Sequence, residues 1–130
     1  MFDPWAITYD RGIEVSRILL QDLSGCTDGR RIWLDSRLTD IEARCALTHE
    51  LVHISYGHDS HQSPAIEDRV RADTARLLVP WDAITAHTGS QLDDWHLAQE
   101  LGVTTHVLTD RLRYASVEEL RAAMGRLGAC

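Results

Sequence analysis

The sequence predicts an α+β fold, with a small antiparallel N-terminal sheet packed on a predominantly helical body. Three observations lead there. Two short segments near the N-terminus alternate apolar and polar residues. From Thr39 onward, helix-opening signals recur almost to the C-terminus. The first of the helices they open is apolar around most of its circumference, so other elements must cover it.

The elements follow in order. Pro4 and Gly12 bracket a short helix over residues 4–11, with proline in the first turn and glycine just past the end. Ile13-Glu14-Val15-Ser16-Arg17 alternates as a half-buried strand does. Asp22 to Gly29 is rich in Asp, Ser and Gly and reads as a turn. Arg31-Ile32-Trp33-Leu34-Asp35 is the second strand, and the pair reads as an antiparallel hairpin.

Thr39-Asp40-Ile41-Glu42 is a capping box. The helix it opens should run to about Tyr56 and stop at Gly57. Ser63-Pro64 opens the next, which Pro80 ends. A short helix is expected over 81–87, with Trp81 packing near the preceding helix. Ser90 to Asp93 caps a helix that reaches Leu101 before Gly102. Thr104 to Tyr114 is helical, and Ser116-Val117-Glu118-Glu119 caps the last helix.

The chain has 130 residues, 44% of them hydrophobic and 25% charged, which suits one domain with one core. We expect a single domain over 1–130, with a C-terminal helical hairpin at 91–125 as an integral part. No apolar run approaches the ~20 residues that span a bilayer. Met1-Phe2-Asp3-Pro4-Trp5 lacks the basic and apolar regions of a signal peptide. Together these predict a cytoplasmic protein without a membrane partner. The formal net charge of −7 disfavours direct nucleic-acid binding, which needs clustered cations. Cys26, Cys45 and Cys130 form no C-x-x-C pair, against both a disulfide framework and a cysteine-based zinc site.

The chemistry concentrates in His49-Glu50-Leu51-Val52-His53. Positions i and i+4 share a helix face, so His49 and His53 can turn two imidazoles to one ion. Glu50 is rotated by about 100° from His49 and is free to act on a water held by that ion. Zinc takes three protein ligands plus water in catalytic sites and lowers the pKa of that water. This is the H-E-x-x-H logic of zinc proteases, with the glutamate as general base. A chance match in a chain of this composition has a probability of roughly 0.02, so the motif alone does not decide. The competing account is a core helix whose histidines bond backbone carbonyls. It is disfavoured, because burying three polar groups without a role is costly.

His58, His61, Glu67, Asp68 and Asp73 are the candidates for a third ligand. The metzincin layout fails, since Tyr56 and Asp59 occupy its glycine and histidine positions. Glu67, in the first turn of the next helix, would complete a set of two His and one Glu. Tyr56, His58, His61 and Arg69 are candidate helpers for the oxyanion.

Ile32-Trp33-Leu34-Asp35, then Leu47-Thr48-His49-Glu50-Leu51-Val52-His53, then Glu67-Asp68-Arg69-Val70 leading to Ala75-Arg76-Leu77-Leu78-Val79-Pro80, resembles the ImmA/IrrE family of zinc metallopeptidases. The resemblance covers roughly residues 12–115. It implies a zincin-like fold, with His49, His53 and Glu67 as Zn2+ ligands and Glu50 as general base. It also implies a protein substrate, a transcriptional repressor encoded beside the protease in a mobile element or stress locus. The family has Ala, then Asn or Asp, then an aromatic after the ligand Glu, where this chain has Val70, Arg71 and Asp73.

Leu97 to Leu112 also resembles a helix-turn-helix. Its flanking acids Asp93, Asp94 and Glu100 make a poor phosphate footprint, so we read it as a helical hairpin shaping the substrate cleft. Two alternatives remain at this stage. One is a helix-turn-helix regulator or adaptor whose zinc is structural and closed by His58 or His61. The other is a zinc hydrolase acting on a small amide.

Overall fold

A computed structural model describes residues 1–87 and 89–126. Cys130 therefore lies outside the described residues. Helix α1 (Pro4–Arg11) leads into strands β1 (Glu14–Ile18), β2 (Gly25–Thr27) and β3 (Arg31–Asp35). Helices α2 (Asp40–Ser55), α3 (Pro64–Leu78), α4 (Trp81–Thr85), α5 (Asp94–Leu101), α6 (Thr105–Arg113) and α7 (Val117–Arg126) follow. The fold is α+β with a helical majority, as the sequence predicts.

Local chemistry sets most boundaries. Asp3 caps α1 by accepting from the Trp5 and Ala6 amides, and Gly12 ends it at φ 65°. The Thr39 hydroxyl accepts from the Glu42 amide at 3.2 Å, while the Thr39 amide donates to the Glu42 carboxylate at 2.9 Å. Asp93, the last residue of the expected cap signal, caps α5 through the His96 amide at 2.8 Å.

The sheet corrects the sequence reading. Its order is β1-β3-β2. β1 and β3, read as an antiparallel hairpin, are paired in parallel from Glu14↔Arg31 to Ile18↔Asp35. Only β2 is antiparallel to β3, with Cys26 opposite Trp33. Alternation reports which face a side chain takes, and says nothing of strand direction. The stretch read as one turn hides β2. Asp28 closes the β2–β3 hairpin by accepting from the Arg30 and Arg31 amides at 3.0 and 2.8 Å.

Helix α2 lies between two cores, which accounts for its apolar circumference. Ala43, Ala46 and Leu47 pack with Ile32 and Leu34 of the central strand. On its other side Cys45 joins Ala75, Leu78 and Val79 with Ala98, Leu101 and Leu108. The Arg44 guanidinium fastens the periphery, donating to the Gly102 carbonyl at 2.6 Å and the Phe2 carbonyl at 2.9 Å.

The α5–α6 pair has a helix-turn-helix outline, with Gly102 at φ 69° between the helices. Yet Arg111, a cation such a motif would turn to phosphates, points inward and is 3% exposed. It donates to the Val79 carbonyl at 2.7 Å, stacks 5.0 Å from the Trp81 ring centre and pairs with Glu119 of α7. That places Trp81 at the end of α3, where it was expected. Arg111 holds the Glu119 carboxyl down at about 2. Stabilisation from this pair is therefore complete above the ordinary glutamate pKa of about 4.5 and is lost as pH falls toward 2. Glu119→Gln leaves a buried guanidinium without its counter-charge. It should cost about 3 kcal/mol at pH 7 in urea unfolding. The gap to the parent protein should narrow in acid, and an equal gap at pH 7 and pH 3 would refute the assignment.

Among the described residues, no helix is long and apolar enough to cross a membrane.

Candidate metal centre

His49 and His53 leave α2 one turn apart, with ring centres 4.9 Å from each other. α3 packs beside α2 with Val70, Ala72, Thr74, Ala75 and Leu78 buried, and Ala75 and Leu78 share a core with Cys45 of α2. Val70, a departure from the family's alanine, is wholly buried there. The approach carries Glu67, in the first turn of α3, to the two imidazoles. Glu67 Oε1 lies 3.1 Å from His53 Nε2 and 3.3 Å from His49 Nε2. One donor atom from each of the three residues falls within 4.8 Å of the others.

These spacings can be tested against a metal. A tetrahedral zinc with bonds of ~2.0–2.1 Å holds its ligand atoms about 3.3 Å apart. The distances from Glu67 to both histidines match that edge. Protonation suits it too. Burial pushes the His49 pKa down, and the neighbouring His53 and the more distant Arg71 add to this. Burial likewise lowers His53 against the pull of Glu67. Burial raises Glu67, but the Gln62 amide and the surrounding histidines outweigh it and keep the carboxyl below its usual range. Two neutral imidazoles beside a carboxylate are the forms that bind a divalent cation.

Outer partners aim His53 and Glu67. His53 Nδ1 lies 3.0 Å from His58 Nδ1, which leaves Nε2 facing the cluster. Glu67 Oε2 accepts from the Gln62 amide at 2.8 Å and sits 3.3 Å from His61 Nδ1, which turns Oε1 toward the histidines. His58 thus stands behind His53, while exposed His61 meets the Glu67 oxygen that is turned away from the histidines. Asp68 is exposed, 3.7 Å from Arg71. Asp73 faces away, bonded to the Tyr56 hydroxyl and 3.3 Å from Arg76. Arg69 stacks over Tyr56 on that same far side, at 5.9 Å. Of the candidate oxyanion helpers, only His61 lines the cavity described next.

A cavity of about 770 Å³ opens over the cluster, within the usual range for a ligand site. It is lined by Gly25, Cys26 and Thr27 of β2, by His49, Glu50 and His53, and by Glu67, Arg71, His106 and Asp110. Glu50 is 7% exposed. Burial, with the nearby charge of Glu67, pushes its carboxyl up to about 7. Gly25 makes room for it: a Cβ there would lie 3.3 Å from Glu50 Cγ and 3.2 Å from the Trp33 carbonyl. The sequence reads Gly25 as a turn residue and does not pair Asp110 with Arg71. The pairing of Asp110 with Arg71 had no local signal, because the two are 39 residues apart.

A mixed sheet beside an H-E-x-x-H helix, with a second carboxylate brought to the two histidines by the following helix, is the arrangement of the metallopeptidase class. The chain belongs to the IrrE N-terminal-like domain family, peptidase family M78, whose model matches residues 10–113. That bears out the ImmA/IrrE resemblance and places the chain among the metallopeptidases. No curated protein and no solved structure matches it in the other two comparisons.

Proposed function

We propose that the chain is a zinc-dependent endopeptidase in which His49, His53 and Glu67 hold the metal and Glu50 is the general base. One observation carries the reading. Glu67 Oε1 stands at the edge length of a zinc tetrahedron from both Nε2 atoms, beside a buried glutamate that lines the same open cavity. Bound zinc would polarise a carbonyl and make a water acidic near neutral pH. Glu50 takes a proton from the attacking water and returns it to the leaving nitrogen. Its burial keeps it from competing waters and places its pKa near the working range.

β2 can hold the substrate in line. It ends the sheet. The Asp35 amide bonds the Ser24 carbonyl and the Asp28 amide bonds the Arg31 carbonyl, on either side of the Cys26–Trp33 pair. Ser24, Cys26 and Asp28 thus face β3, so the amides and carbonyls of Gly25 and Thr27 face outward. An extended peptide can pair with that edge above the metal.

The substrate class follows from the family resemblance: a transcriptional repressor cut at one site in the cytoplasm. The acidic surface and the α5–α6 hairpin, integral to one domain, would recognise it. Against a closed structural zinc site stand the placements of His58, on the Nδ1 side of His53, and of His61, on Glu67 Oε2 and not on the oxygen that reaches the histidines. A structural site also has no use for a buried base.

The test is incubation of the zinc-loaded protein with the product of the neighbouring repressor gene, followed by mass spectrometry of the fragments. We expect a single cut, abolished by chelation and restored by zinc. An intact repressor, or a cut indifferent to chelator, would reject the reading.

A further inference from the structure

Arg71 follows Glu67 by four residues, so the two side chains leave α3 on one face, a turn apart. Both line the same cavity. Arg71 Nε donates to Asp110 Oδ2 at 3.2 Å and Nη2 to Oδ1 at 2.7 Å. The Asp110 side chain is 5% exposed, and its Oδ2 also lies 3.6 Å from His106 Nε2. Nη1 comes no nearer than 3.7 Å to Asp68, beyond hydrogen-bond range. A guanidinium has five N–H donors, and the fork to Asp110 engages two of them. Among the described residues the other three make no hydrogen bond, and Arg71 itself lines the cavity.

Charge decides what those donors suit. Arg71 is the one arginine among the described lining residues, and Asp22, Glu42 and Asp59 line the cavity with it. Asp110 offsets its charge. A neutralised fork among acids does not draw in a carboxylate side chain, but it can donate to a neutral oxygen. Cβ atoms at i and i+4 are ~5–6 Å apart, and an extended peptide advances ~3.3 Å per residue. A group one turn from a metal ligand therefore meets the substrate one or two residues from the scissile bond.

We propose that Arg71 binds the substrate main chain by donating to a peptide carbonyl oxygen one or two residues from the cleaved bond, and that Asp110 is the positioning residue that aims it. The assignment rests on the peptidase reading above. The carbonyl is the same in ground and transition states, so the contact acts on KM and leaves kcat nearly alone. An ion pair that merely ties α3 to α6 would change unfolding without changing KM.

The experiment uses zinc-loaded wild type, R71M, R71K and D110N on the best-cleaved member of a mixed library of quenched fluorescent decapeptides. Zinc content and circular dichroism are recorded for each. R71M should raise KM about tenfold with kcat within about threefold, and zinc content unchanged. R71K should recover little, since an ammonium lacks the fork. D110N should raise KM by a smaller factor. Replacing flanking Asp or Glu of the peptide with Asn or Gln should leave the R71M effect intact. A folded R71M with wild-type KM overturns the assignment, as does an effect that disappears with the peptide's acidic residues. If R71M does not fold, wild-type KM in R71K and D110N overturns it. A wild type that cleaves no peptide overturns the peptidase reading and this assignment together. Cleavage by wild type with unchanged KM in the variants overturns this assignment alone.

Discussion

Glu50→Gln should lower peptide hydrolysis by about 10²–10⁴-fold while leaving metal content unchanged, because it removes the base and none of the candidate ligands. The variant should be no less stable than the parent. Glu50 is 7% exposed and its carboxyl is pushed up to about 7 by burial. A raised folded pKa means that the charged form is disfavoured in the fold. The metal-free protein therefore loses stability through this group as pH rises from about 4.5 to about 7. Glutamine has the same shape without that charge, so metal-free Glu50→Gln should gain on the parent in thermal unfolding as pH rises through this window. Gain of stability with loss of rate is the mark of a group retained for chemistry. Wild-type cleavage by the purified variant would remove Glu50 from the mechanism.

Glu67→Ala should release the metal. It deletes the one carboxylate that reaches both imidazoles, at 3.1 and 3.3 Å, and leaves two histidines of one helix as the only members of the cluster. Loss of an outer partner typically weakens a metal by ~10–100-fold. Loss of a direct ligand should exceed that and leave little zinc after dialysis. Metal per chain by atomic emission checks it, with Asp68→Ala and Asp73→Ala as comparisons that should retain the ion. Unchanged metal in Glu67→Ala would place the third ligand elsewhere. The fold should survive, because Ala75 and Leu78 of α3 share an apolar core with Cys45 of α2 and Glu67 is not part of it.

Helix caps were the most legible part of the fold. Thr39 with Glu42, Gly12 with Thr8 and Tyr9, and Asp93 with His96 all act within four residues, so their partners stand in adjacent sequence. The i, i+4 placement of His49 and His53 is equally local. The sheet was less legible: alternation marked β1 and β3, but their parallel pairing depends on β2 joining the far side of β3.

The sequence by itself determined the helical majority, the paired histidines with their glutamate, and a family whose spacing singled out Glu67. Helical periodicity and capping are short-range, and a motif lies within one helix. Only the tertiary structure decided which of five candidate groups meets the histidines, sending Asp73 to Tyr56 and His58 behind His53. It buried Arg111 against the Val79 carbonyl, and it joined Arg71 to Asp110 across two helices. It also made Gly25 the residue that leaves room for Glu50. Each of these depends on how separate elements pack, and contacts between residues far apart in the chain leave no periodic trace in the sequence.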